Sequence, residues 1–137
     1  MTSEFCVAVH ALVYLNHKAT TLSSEELAEN ICTNPARVRK VMAGLKKAGL
    51  VRTKEGAEGG YWFERDPGEV TLRQIGEAVS AQYVSAAWHS GSAEMDCLVA
   101  SGMAGIMSDI FANLNETCQR QLAQITILDI DRKLFVK

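Results

Sequence analysis

Apolar and polar positions divide the chain into helical stripes and one hairpin. From Glu4 to Leu15 the run EFCVAVHALVYL is apolar almost all round, which predicts a helix buried on more than one side. Asn16 to Thr21 is a polar connection. Ser23 or Ser24 then caps a short helix through Asn30, with Glu25 and Glu26 in the first turn, where the helix dipole favours negative charge. Leu27, Ala28 and Ile31 supply its inner face, and Cys32-Thr33 is a turn. Asn34 suits an N-cap and Pro35 the first helical position, because the missing N–H of proline would find no partner there anyway. The helix they start runs to about Ala48, with Gly49 as its stop. Val38, Val41, Met42 and Leu45 recur at i, i+3, i+4, i+7 and mark a buried stripe. The opposite face carries Ala36, Lys40, Ala43 and Lys47, flanked by Arg37, Arg39, Gly44 and Lys46.

Leu50 to Lys54 reads as a strand, EGAEGG (Glu55 to Gly60) as a turn and Tyr61 to Glu64 as the return strand. After Asp66-Pro67-Gly68, a further helix runs from Leu72 to about Ser80, with Leu72, Ile75, Gly76 and Val79 inward. From Glu94 to Ile125 apolar residues recur every three or four positions: Met95, Leu98, Gly102, Ile106, Ile110, Leu114, Cys118 and Ile125. A helix of ~30 residues spans ~45 Å, too long to bury its stripe on so small a domain. An antiparallel partner from a second subunit would cover it. The tail from Thr126 has enough apolar content to fold back. The expected fold is mainly α with a small β-hairpin wing: a winged helix-turn-helix over residues 1–80, a connector over 81–93, and a dimerisation helix with the tail over 94–137.

The bulk composition, 47% hydrophobic and 22% charged, is that of an ordinary globular chain. No apolar run approaches the ~20 residues of a membrane span, and no secretory signal is expected at the start. Cys6, Cys32, Cys97 and Cys118 form no CxxC pair, so reduced thiols in a cytoplasmic protein are expected.

Charge changes the picture more. From Cys32 to Lys54 there are seven basic residues (Arg37, Arg39, Lys40, Lys46, Lys47, Arg52 and Lys54) and no acidic one. The net charge of −2 therefore hides a local +7 against a remainder of −9. That asymmetry is the footprint of a polyanion partner, and double-stranded DNA is the first candidate. Small residues on the outer face of the second helix would let its backbone approach a groove, and the cations around them would reach it. Thr33, Asn34, Arg37, Arg39 and Lys40 are expected at bases or phosphates, with Arg37 the leading base contact. Lys47, Arg52 and Lys54 are expected at phosphates. Ser24, Pro35, Gly59, Gly60 and Tyr61 complete the expected DNA-facing set, although packing is the preferred reading of Tyr61 and Trp62 at a wing base. A winged-helix protein-interaction module without DNA binding is the alternative, and the acid-free cluster argues against it.

No Ser–His–Asp set, phosphate loop or carboxylate pair stands out, so no enzyme and no catalytic residue is expected. Cys97, near the start of the long helix, reads as a redox-sensing thiol, as a cluster ligand, or as an unreactive cysteine. Cys6 and His10 share a helix face at i, i+4. With Cys97 and Cys118 they could form a mixed Cys/His iron–sulfur or metal site across a dimer. The plainer reading makes Cys6, His10 and Cys118 core residues, with no metal and no cofactor. Trp88 and His89 in the connector are candidates to line an effector pocket.

The run SSEELAENICTNPARVRKVMAGLKKAGLVRTKEGAEGGYWFERDPGEVTLRQIGEAV resembles the Rrf2 family of bacterial transcription regulators. So do AVHALVYL ahead of it and the long late helix ending in LAQITILDI. The most specific parts are LKKAGLVRTKEGAEGGY and DPGEVTL. The resemblance implies a homodimeric repressor or activator on an inverted-repeat operator, dimerised through the Glu94–Ile125 helix and the first helix. It also implies a redox, iron–sulfur or small-molecule effector sensed before the long helix. Two departures stand out. Cluster-binding members carry three close cysteines where Ser90 to Ile106 holds only Cys97, and many members carry an arginine where this wing has Glu55. A carboxylate there would be repelled by phosphate.

Overall fold

The computed structural model describes residues 2–135. It is mostly helical, with one two-stranded antiparallel hairpin. Helix α1 (Thr2–Lys18) outruns the apolar stretch by about a turn and lies at the centre, touching α2 (Ser24–Ile31), α3 (Pro35–Lys47), α4 (Leu72–Ala78) and α6 (Ile127–Phe135). Its Ala8, Ala11, Leu12 and Leu15 are fully buried, which accounts for the apolar run.

The caps are those the polar residues encode. Ser23 closes a capping box with Glu26 at the start of α2. The Asn34 side chain accepts from the Arg37 amide at 2.8 Å at the start of α3. Both helices end in the same turn. The Leu50 amide donates to the Leu45 carbonyl and the Gly49 amide to Lys46, with Gly49 at φ 78. At the end of α2 the Thr33 amide donates to Ala28 and the Cys32 amide to Glu29, with Cys32 at φ 64. This is the Schellman arrangement, filled once by glycine and once by cysteine. The α3 stripe of Val38, Val41, Met42 and Leu45 is buried against α1 and α2, as its spacing predicts.

Strands β1 (Arg52–Lys54) and β2 (Gly60–Trp62) pair with Arg52 opposite Trp62, Thr53 opposite Tyr61 and Lys54 opposite Gly60. Both are shorter than the sequence suggests. Leu22, ahead of α2, bridges to Tyr61 and anchors the wing to the helical body.

The long helix α5 (Leu98–Leu122) starts later than Glu94 and stops before Ile125. Ser92 explains the start: its side chain accepts from the Glu94 amide and its carbonyl from the Met95 amide, a local turn that competes with helix. At the far end the chain leaves the helix so that the Ile125 carbonyl meets the Leu72 amide and Thr126 bridges to Thr71. Thr126 and Asp129 then cap α6 reciprocally, and Ile127 is fully buried among residues of the winged domain. The tail, grouped by sequence with the dimerisation helix, thus packs on α1. No residue of α5 is buried. None of the described helices is long and apolar enough to cross a membrane.

Candidate nucleic-acid interface

The turn after α2 and the cap of α3 present the start of α3 to solvent. Asn34, Arg39, Lys40, Lys47, Arg52 and Lys54 are exposed, and Thr33, Pro35 and Arg37 are partly so. The Asn34 oxygen is committed to its cap, which leaves the amide NH2 to donate to a ligand. Ala36 and Ala43 lie open on the outer face. Gly44 does not: a Cβ there would stand 2.7 Å from the Ala78 carbonyl oxygen, so this glycine lets α3 pack on the end of α4 and does not admit a duplex.

Four expected contact residues have inward roles. Ser24 is 9% exposed, and its hydroxyl lies 3.4 Å from Arg39 Nη1 and 3.3 Å from Glu25 Oε2. Gly60 passes so near the Leu22 carbonyl that a side chain would collide with it. Tyr61 packs against the core. Gly59 is likewise tight against the backbone of Lys54 and Gly56. Gly60 and Tyr61, set against Leu22, hold the wing to the body and thereby place Arg52 and Lys54.

Sequence reading missed the carboxylates beside the cations. Arg39 Nη1 lies 3.6 Å from Glu25, Lys40 Nζ 3.6 Å from Glu4, and Arg52 Nε 2.7 Å from Glu64. The other Glu64 oxygen accepts from Trp62 Nε1 at 3.1 Å, so one carboxylate fastens the Arg52–Trp62 pair across the hairpin. The hairpin register, with Glu64 two residues beyond Trp62, was the one signal in sequence that could have found a partner. Glu4 and Glu25 come from other helices and leave no local trace.

The connector before α5 has no regular structure but is held. The Tyr83 and Val84 amides both donate to Asn115 Oδ1, at 2.7 and 2.9 Å, and Asn115 Nδ2 donates back to the Val84 carbonyl. The Tyr83 ring meets Phe5 of α1 edge-on, and burial, with smaller contributions from Cys118 and Glu77, raises its pKa. Ala86, Trp88, His89, Ser90, Met107 and Phe111 are among the residues lining a cavity of about 170 Å³ between connector and α5.

Cys97 occupies the N-cap of α5, fully exposed, and the backbone N–H groups of Ala100 and Val99 lower its pKa below the ordinary thiol value. Cys6 and His10 face solvent rather than the core, and His10 Nε2 lies 2.8 Å from Asn30 Oδ1. Cys118 lies on the same continuous helix as Cys97, about 30 Å away by helical rise. Among the described residues no group of three or more His, Cys, Asp or Glu is placed to hold a metal.

The Rrf2 family model, described as an iron-dependent transcriptional regulator, matches residues 1–133. The HTH-type transcriptional regulator YwnA of Bacillus subtilis (strain 168) is 27% identical over 98% of this chain and 99% of its own. A transcriptional regulator from Lactobacillus plantarum has a crystal structure that superposes with a TM-score of 0.81 at 25% identity, covering 98% of this chain and 91% of that one. IscR of T. potens shares the fold at a TM-score of 0.68 and 19% identity, over 98% of this chain and 87% of its own. Among the described residues of one chain, the iron in the family description finds no clustered donor set, with Cys97 and Cys118 toward opposite ends of α5.

Proposed function

The chain belongs to the Rrf2 family of transcription regulators, a DNA-binding winged-helix protein and not an enzyme, and on that premise we propose that it works as a homodimeric repressor on an inverted-repeat operator. The observation that carries the dimer is α5. Its stripe of Leu98, Ile106, Ile110 and Leu114 is exposed, and none of its side chains is buried within the chain. Such a stripe needs an apolar partner, and a second copy supplies one with the same spacing. Two α3 helices related by the two-fold axis would then enter successive major grooves, with half-sites about one helical turn apart or a multiple of it. On this reading a dimer seated on a promoter would exclude polymerase, and that is the sense in which we propose a repressor.

A second reading adds redox sensing. It is favoured by the place of Cys97, an exposed thiol at the N-cap of the element assigned to the dimer, where backbone N–H groups lower its pKa. Selection of bound duplexes from random DNA, under reducing and then oxidising conditions, tests both. The expected result is one inverted repeat, bound under reducing conditions and released on oxidation. Enrichment of isolated half-sites would overturn the dimer. Identical enrichment in both conditions would remove the redox reading. Transcription in vitro from a promoter carrying the selected site should fall as protein is added, and a rise would reverse the assignment as repressor.

A further inference from the structure

The window from Cys32 to Lys54 contains no acid, yet the fold brings carboxylates to its outward cations from other elements. Glu25, in the first turn of α2, pairs with Arg39 on one flank of α3, and Glu4, near the start of α1, pairs with Lys40. Among the described residues, Arg37, Lys46, Lys47 and Lys54 have no carboxylate within ion-pair distance. So two of the four cations that α3 is expected to present to a duplex are partnered in the free protein, and Arg37 and Lys47 are not.

We propose that Glu4 and Glu25 act as an electrostatic brake on DNA binding, competing with phosphate for Lys40 and Arg39. This rests on the assignment of α3 as the DNA-facing helix. Exposed pairs at 3.6 Å are weak and yield to a stronger partner. The carboxylates do not leave when the pairs break, because they sit on α1 and α2, which frame α3. Each then stands near the phosphates and subtracts from the counterion release that drives association. Glu25 has a second effect. The N-terminus of an HTH's first helix is a natural place for a backbone phosphate, and here that turn already carries Glu25 and Glu26. Glu64 is different in kind: it has a 2.7 Å bond to Arg52 and another to Trp62, and it braces the wing.

The test uses the full-length protein with Glu4→Gln, Glu25→Gln and the double substitution, each a near-isosteric change at a side chain that is not buried. Anisotropy titrations with a random-sequence duplex are run over a salt series. Each substitution should tighten binding about threefold, and the double substitution should steepen the dependence of log K on log salt by more than one unit, since each phosphate neutralised contributes about 0.9. Unchanged affinity and slope in variants of an unaltered wild-type binder would overturn the brake alone. Weaker binding by Glu25→Gln would overturn it too, by showing that Glu25 orients Arg39 for contact. A wild type that binds no duplex even at low salt would overturn the assignment of α3 itself, and the brake with it.

Discussion

Helices α3 and α5 are both amphipathic, and they resolve their apolar stripes in opposite ways. The α3 stripe is consumed inside the chain: Val38, Met42 and Leu45 are fully buried. What α3 leaves outside is small residues and cations. The α5 stripe is left in solvent, with Leu98 86% and Ile106 55% exposed, while the polar Asn115 turns inward to clasp the connector. Each helix therefore advertises the chemistry of what is still to be bound. One asks for a polyanion and the other for an apolar surface. The difference also separates two layers of function, since α3 is held by the core whatever α5 does.

The proposed dimer is where that contrast can be broken with the largest effect. Ile106 lies mid-stripe and is 55% exposed in the single chain. Burying an isoleucine is worth ~1.5–3 kcal/mol, and a two-fold interface loses both copies at once. Ile106→Asp should therefore weaken the dimer by at least ~100-fold, read by sedimentation, while the melting curve of the winged domain stays close to wild type. A variant that remains dimeric at low micromolar concentration would mean that the α5 stripe serves another partner.

The α3 side predicts a smaller and more selective loss. Arg37→Ala should cost ~1–3 kcal/mol on the operator and little on random duplex, if Arg37 reads a base edge. Lys47→Ala should weaken both alike and reduce the salt slope by about one unit. Equal losses on both duplexes for Arg37→Ala would turn it into a phosphate contact and move base reading elsewhere on the helix.

How much of this was legible in sequence follows from the range of the interactions. Caps and turns were, because Ser23–Glu26, Asn34–Pro35 and Gly49 act on their own neighbours. The α3 stripe was, because a single period decides it. Interactions between elements were not. Gly44 looked like an open surface position and is a packing contact with Ala78. Ser24, placed in the DNA-facing set, lies buried beside Arg39. The acid-free window told the truth about one segment and missed Glu4 and Glu25 folding over it. The tail was seen only as able to fold back, since the burial of Ile127 depends on Thr126 reaching Thr71, some 55 residues earlier in the chain.

The smallest prediction concerns the turn that aims α3. Gly49 and Cys32 hold the same left-handed position at the ends of α3 and α2, and only glycine does so without strain. Left-handed backbone costs a non-glycine residue roughly 1–2 kcal/mol. Glycine returns part of that by loosening the unfolded chain. Cys32 is exposed, and its thiol donates a long hydrogen bond, 3.7 Å, to the Glu29 carbonyl, so little is lost with the side chain. Cys32→Gly should thus stabilise the protein by ~0.5–1 kcal/mol, measured by denaturant midpoint at unchanged slope, and leave affinity for DNA as it was. Cys32→Ala keeps the Cβ and should gain nothing. A destabilised Cys32→Gly would show that the thiol at the head of the recognition turn has a structural task, and α3 would then depend on more than its buried stripe and its caps.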